Sequence, residues 1–239
     1  MTLSVDKALA ENYADYYEQE DDLLEWRRLG AVDKCANIVR LCSGLEHRDV
    51  LEIGCGDGAI LKQLAGDGFG ARFTGLEISP SAVKCALGKN IPNLAVRLFE
   101  GYELSFPEKS FDLAILSHVI EHVEYPRKLI REAARVAKNV FIEVPLEDTW
   151  RLSGDFVFDR VGHINFYNRK IIRRLVQSCG MKILDARLSH GAIGSYVYRK
   201  GKWPGACAYV VKELGLRVCP TLAARSFGYH YSLTYRPLP

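Results

Sequence analysis

The residues of this chain that could do chemistry gather in a few short stretches. Val50 to Gly58 reads VLEIGCGDG, an apolar run that ends in Gly54, Gly56 and Gly58 and passes straight into a helix-like segment. Glycines in such a loop permit positive φ and let the backbone approach a ligand where a Cβ would collide. The helix that follows would aim its free N–H groups and positive dipole end at the same place. The spacing alone is ambiguous, because Gly54, Gly56 and Ala59 also satisfy the G-x-G-x-x-G/A dinucleotide pattern. Neighbouring carboxylates narrow it. Glu52, two residues before the glycines, suits a cationic ligand better than a pyrophosphate. Glu77, in GLEIS, can accept hydrogen bonds from ribose hydroxyls, as any adenosine ligand asks. Glu100 adds an acceptor for an exocyclic amine, and no Lys or Arg lies in the glycine loop to hold phosphate.

A second stretch, Ser117 to Val123, reads SHVIEHV after another apolar run. His118, Glu121 and His122 match the letters of the H-x-x-E-H zinc-hydrolase motif. That motif needs a long helix, whereas Tyr125-Pro126 follows within a few residues and interrupts one. Zinc hydrolysis is therefore not expected, and neither is a metal. A histidine at this edge could remove a proton from a bound substrate, since its ordinary pKa lies near ~6.5. Helix packing and loop hydrogen bonding are the competing roles for both rings. Further on, GHINFYN places His163 and Tyr167 at another loop, His163 being either a site residue or a loop anchor.

The elements that must position these residues alternate in type. An amphipathic helix over Arg27 to Cys42 carries Val32, Cys35, Ala36, Ile38, Val39 and Cys42 at helical spacing. Strands are predicted at Asp49 to Ile53, Arg72 to Ile78, Ala95 to Phe99, Phe111 to Ser117, Asn139 to Val144 and Lys182 to Leu188. Helices are predicted at Ala59 to Ala65, Ser81 to Leu87, Pro126 to Ala137 and Asn168 to Cys179. Regular β/α alternation implies a parallel, doubly wound sheet with helices on both faces and ligands at the carboxyl ends of the strands. The end of the chain departs from this pattern. Gly205 to Leu216 reads as a helix, Cys219-Pro220 as the start of a short one, and Gly228 to Tyr235 as a final strand. About forty residues would then be inserted before that strand, either shaping substrate access or covering a sheet edge.

Composition sets the outer bounds. With 239 residues, 48% hydrophobic and 26% charged, the chain is neither disordered nor fibrous and can bury one sizeable core. The start, Met1 to Asp22, has no basic and apolar leader pattern, and no uncharged apolar run reaches membrane-spanning length. Seven cysteines without a C-x-x-C pair read as reduced thiols, so a cytoplasmic location is expected. The net charge of +3 hides an asymmetry. Residues 1–150 hold 17 Lys and Arg against 25 Asp and Glu, and residues 151–239 hold 15 against 4. A basic final third could focus an anionic substrate, a nucleic acid or a membrane surface, or be no more than a solvated face.

The segments VLEIGCGDG, GLEIS, SFPEKSFDLAILSHVIEHV and VFIEVP, taken in order, resemble the class I S-adenosylmethionine-dependent methyltransferases. The resemblance is to the small-molecule type that includes the ubiquinone and menaquinone biosynthesis enzymes, and it covers roughly residues 30 to 185. It implies a Rossmann-like α/β fold: a seven-stranded, doubly wound sheet whose last strand, Gly228 to Tyr235, is antiparallel. The chain would be a single domain over 1–239. That domain divides into an N-terminal helical segment (1–45), a cofactor-binding core (46–188), an insertion or lid (189–227) and the final strand (228–239). The cofactor implied is S-adenosylmethionine, with S-adenosylhomocysteine as product. Glu52, Gly54, Cys55, Gly56 and Gly58 would surround its methionine part and sulfonium, with Ser117 beside them. Glu77 would hold the ribose and Ile78 would pack on adenine. Glu100, followed by Gly101, stands where the family commonly has Asp before adenine.

His118, His122 and His163 are then the candidate catalytic residues. The fourth strand ends in Ser117-His118 rather than an Asn-Pro-Pro-Tyr-like turn, and no Cys-Pro pair follows a strand at the active edge. An oxygen, nitrogen or carbon of a small metabolite remains as acceptor. Arg169, Arg173 and Arg174 on one helix, with Arg199, Lys200 and Lys202 in the insertion, favour an anionic one. The rival readings are an NAD-dependent oxidoreductase and a non-catalytic module that holds RNA or an acidic partner.

Overall fold

The computed structural model describes residues 21–99, 101–156 and 162–238. The polar start of the chain and Glu100 lie outside the described residues. In chain order the elements are α1 (Asp21–Cys42), β1 (Asp49–Ile53), α2 (Ala59–Gly66), β2 (Arg72–Glu77), α3 (Pro80–Gly88) and β3 (Leu94–Leu98). There follow β4 (Phe111–Ser117), α4 (Pro126–Val136), β5 (Ala137–Leu146), α5 (Arg169–Gln177) and β6 (Met181–Ser189). The chain ends with α6 (Ile193–Lys200), α7 (Lys202–Val218), α8 (Pro220–Ser226) and β7 (Tyr229–Pro237).

The strands form one sheet in the order β3-β2-β1-β4-β5-β7-β6. β1 to β5 are parallel, and β7 runs antiparallel to both its neighbours, β5 and β6. β4 lies at the centre of the sheet, and every one of its seven residues is buried. Helices cover both of its faces, which is why Leu113 to Leu116 is an unbroken apolar run rather than an alternation. α4 lays Leu129, Ile130, Ala133, Ala134 and Val136 against the sheet, an i, i+1, i+4, i+5, i+7 stripe that the helical period brings to one face. Tyr125-Pro126 starts that helix, as proline at the first helical position does, and no helix precedes it: residues 118–125 form turns.

The buried face of α1 and the number of helices in the insertion differ from the sequence expectations. The buried seam of α1 is Ala31, Cys35, Ile38 and Cys42, so Val32 and Ala36 face solvent. β7 is the antiparallel last strand expected; it lies between β5 and β6, and its first residues pair with the carboxyl end of β5, Pro145 with His230 and Leu146 with Tyr229. The insertion holds three helices rather than two. α6 was not legible because Gly191 and Gly194 interrupt a short segment whose face is only partly buried. Of the described helices, none is long and apolar enough to cross a membrane.

Candidate functional site

A cavity of about 1070 Å³ opens at the carboxyl ends of the parallel strands. The sheet side supplies Glu52, Gly54, Cys55, Gly56, Glu77, Ile78, Gly101, Ser117, His118, His122 and His163 to its wall. α1 closes another side with Trp26, Arg27 and Lys34, and the insertion closes a third with Tyr196, Arg199, Lys200 and Lys212.

The glycine loop is built by close approach. Gly54 has φ 74°, and a Cβ there would lie 2.7 Å from Val119 Cγ2. Its N–H and that of Cys55 donate to the Leu76 carbonyl at 2.7 and 3.0 Å, tying β1 to the end of β2. Gly56, with φ 53°, donates its N–H to Glu77 Oε2 at 2.7 Å. Gly58 is not among the residues of the cavity wall. It caps α2 in a left-handed conformation, and its missing Cβ makes room for Ala86 on α3 at 3.1 Å. The Cys55 side chain, although it reaches the cavity wall, packs against Gly75 of β2, and burial pushes its thiol pKa up. Asp57 is taken up structurally, by an ion pair with Lys89 at 2.9 Å and a hydrogen bond from the Ala59 N–H.

Glu52 and Glu77 divide the work of the acidic side. Glu77 accepts hydrogen bonds from the N–H groups of Gly56, Ile78 and Ser79 at 2.7, 2.7 and 3.0 Å, so it staples the loop as well as facing the cavity. Burial raises its pKa, and those three bonds oppose the rise. Glu52 is 1% exposed, and its Oε2 has no hydrogen-bond partner. Burial holds its pKa well above the carboxylate range, against the pull of Lys34. A buried carboxyl with an orphaned oxygen is stabilised by a proton or by a cationic partner. Ser117 Oγ, at the end of β4, is likewise buried without a partner.

The histidines form a band beside this loop. His118 holds φ 58°, an uncommon conformation for a residue with a Cβ, and its N–H donates to the Glu143 carbonyl at 2.9 Å. Its ring lies between two wholly buried carboxylates, Nδ1 3.4 Å from Glu121 Oε1 and Nε2 3.4 Å from Glu143 Oε1. Burial works to lower its pKa, but these two acids together raise it. His122 Nδ1 lies 3.1 Å from the Gly162 carbonyl, so that nitrogen carries the proton and Nε2 the lone pair. Burial, ahead of the attraction of Glu121, lowers the pKa of His122. His163 Nδ1 lies 2.7 Å from Glu147 Oε2, and the rings of His122 and His163 meet edge-on at 4.7 Å. The segment after residue 161 makes this meeting possible. Asn165 Nδ2 donates to the Ile120 and Val123 carbonyls, and Tyr167, buried away from the cavity, donates to Ile120 as well.

Residues 24–186 match the family described as "Methyltransferase domain". The chain belongs to that family. Among relatives of this methyltransferase-domain chain, the demethylmenaquinone methyltransferase of Tropheryma whipplei is 36% identical over 92 residues, 38% of this chain and 37% of that one. Ajmaline N-methyltransferase of Rauvolfia serpentina is 32% identical over 95 residues, 38% of this chain and 32% of the relative. The match thus spans about a third of the length of these relatives. The fold is also that of Haemonchus contortus phosphoethanolamine N-methyltransferase 2, solved in complex with S-adenosyl-L-methionine. That structure has a TM-score of 0.62 and 18% identity, over 86% of this chain and 52% of the other.

Several lining residues of the methyltransferase-domain chain were not legible in its sequence. Lys34 and Arg27 sit on a helix far from any motif, and Lys212 lies on α7, where it donates to the Gly228 carbonyl and stands over the rings of Tyr196 and Tyr229 at 5.3 and 5.2 Å. Burial first, and then the charges of Arg199 and Lys200, lower the Lys212 pKa to about 8. Glu143 did leave a signal, a lone acid inside the apolar strand VFIEVP. Of the expected basic groups, Arg199 and Lys200 line the cavity. Arg169, Arg173, Arg174 and Lys202 are absent from its wall, with Arg173 donating to the Tyr231 hydroxyl and Lys202 standing over Trp203.

Proposed function

We propose that this chain transfers a methyl group from S-adenosylmethionine to an anionic small molecule. The observation that carries the reading is the buried, unpartnered Glu52 oxygen beside the Gly54 to Gly56 turn, a receptor for a cation at the place where backbone approaches closely. S-adenosylmethionine, when bound, supplies a methyl group on a cationic sulfur. Glu52 would take its ammonium, Glu77 its ribose hydroxyls, and Ile78 and Gly101 would border the adenine. The lack of a basic residue in the loop argues against a pyrophosphate, and so against NAD.

Arg199, Lys200 and Lys212 of the insertion and Lys34 and Arg27 of α1 ring the remainder of the cavity and would hold a carboxylate or phosphate of the acceptor. His122 is the best placed base. Its lowered pKa keeps it neutral near pH 7, and its bond to Gly162 fixes which nitrogen accepts. His118 and His163 shape the same wall. Positioning and exclusion of water supply much of the rate in such a displacement.

The test is a transfer assay with methyl-labelled S-adenosylmethionine and a matched panel of carboxylated, phosphorylated and neutral metabolites. Label in anionic products that falls at least tenfold in Lys212→Met, through KM, is the expected result. Label only in neutral products would overturn the assignment of the acceptor.

A further inference from the structure

We propose that the chain holds a divalent transition-metal cation in the wall of this cavity, bound by His118 Nε2, Glu143 Oε1 and His230 Nδ1, with His118 and His230 lining the cavity and Glu143 buried behind them. These three atoms are buried, make no hydrogen bond, and lie within 4.8 Å of one another. His118 Nε2 and Glu143 Oε1 are 3.4 Å apart, and His230 Nδ1 is 3.9 Å from the same oxygen. Two ligands about 2.1 Å from a tetrahedral ion stand roughly 3.4 Å apart, so one of the three pairs already has the required separation, the second needs a shift of about half an ångström, and the third, His118 Nε2 to His230 Nδ1, starts from within 4.8 Å.

The surroundings are those of a positioned ligand set. The other oxygen of Glu143 accepts from Asn37 Nδ2 at 2.8 Å and from Ser232 Oγ at 2.6 Å, which fixes the carboxylate and turns Oε1 toward the two imidazoles. His118 has its second nitrogen 3.4 Å from Glu121 Oε1, the carboxylate–histidine arrangement that orients metal-bound imidazoles. Charge points the same way. Glu121 and Glu143 are both 0% exposed, and no Lys or Arg among the described residues forms an ion pair with either. Lys34 of α1 acts on His118 and His230, and Lys212 of α7 acts on His230, and both oppose a cation; the two buried carboxylates face the imidazoles at 3.4–3.9 Å, at contact distance.

Two imidazoles and one carboxylate suit zinc(II), iron(II), cobalt(II) or manganese(II) better than calcium or magnesium. Three protein ligands leave positions for water or for an oxygen of the acceptor. The site departs from the metal-free expectation drawn from the sequence, because His230 and Glu143 lie far from the H-x-x-E-H letters. It stands independently of the methyl-transfer reading.

The experiment is titration of the full chain, stripped with a chelator, by cobalt(II) followed in visible absorption and by zinc(II) in a calorimeter. One ion per chain is expected. His230→Ala and Glu143→Gln should each weaken it at least about 100-fold, since even changes beyond the ligands cost 10 to 100-fold. His163→Ala, in the neighbouring group of Glu121, His122 and His163, should retain the ion. Absence of binding by the wild-type chain, or wild-type affinity in His230→Ala with loss in His163→Ala, would overturn the site. S-adenosylhomocysteine titrated into the same samples separates the two readings, because its failure to bind would remove the cofactor assignment and leave the metal result standing.

Discussion

Glu52 is the residue on which the cofactor assignment turns. Its neighbours Val50, Leu51 and Ile53 on β1 are apolar, so the strand buries a carboxyl whose Oε2 has no hydrogen-bond partner among the described residues. Glu52→Gln should keep the fold and weaken S-adenosylmethionine binding about tenfold or more, read by calorimetry, because a neutral amide loses the charge-assisted bond to an ammonium. His122 gives a kinetic expectation. As a base it must be neutral, and burial keeps its pKa below the ordinary 6.5, so kcat should hold down to mildly acidic pH and fall only below that value. A limb above 6.5 that survives in His122→Ala would assign the base elsewhere. At this scale much was legible: Glu52, Gly54, Gly56, Glu77, His118 and His122 are joined by motif spacing to strand ends, and all reach one cavity. His230 and Lys212 were not, because only strand insertion and helix packing bring them there.

At the scale of elements, α1 and the insertion are locked together by Asp33. Its carboxylate accepts from the Ala192 N–H at 2.9 Å and from the Ser195 hydroxyl at 2.8 Å, capping α6, which has no side-chain cap of its own. Asp33→Ala should cost about 1 kcal/mol, the usual worth of a cap. Amide exchange should rise over residues 190–200 more than in β4, and uniform protection would show that the bond holds nothing in place. The glycine loop makes a sharper case. Gly54→Ala places a Cβ against Val119 in a left-handed backbone, so a loss of about 1–3 kcal/mol is expected together with weaker cofactor binding. The β/α alternation was legible since each run has a clear period. α6 and the pairing of β7 with β5 were not, since short glycine-interrupted helices carry little periodicity and strand order is a property of long-range pairing.

Across the whole molecule, charge ties stability and binding to pH. Glu143 is buried, which would raise its pKa, yet His118, His230 and Ser232 lower it from 4.5 to about 2. Its contribution to stability is therefore full above about 4.5 and lost as pH falls through about 2. Burial likewise lowers His230 from 6.5 to about 3, so the unfolded chain takes up that proton first and stability declines below 6.5. Thermal melts of the metal-free chain should drop steadily from pH 6.5 to 3, and a flat profile would contradict these environments. On the alkaline side Lys212 loses its charge near pH 8, so affinity for an anionic acceptor should decline through that value in wild type and not in Lys212→Met. The acidic body and basic final third of the sequence thus meet at one cavity, acids on the sheet side and cations on the insertion and α1. The central claim is tested most directly by calorimetric titration of the chain with S-adenosylmethionine, S-adenosylhomocysteine and NAD in parallel. Micromolar binding of the two sulfur compounds and none of NAD is the predicted result; binding of NAD alone, or of none of the three, would contradict it.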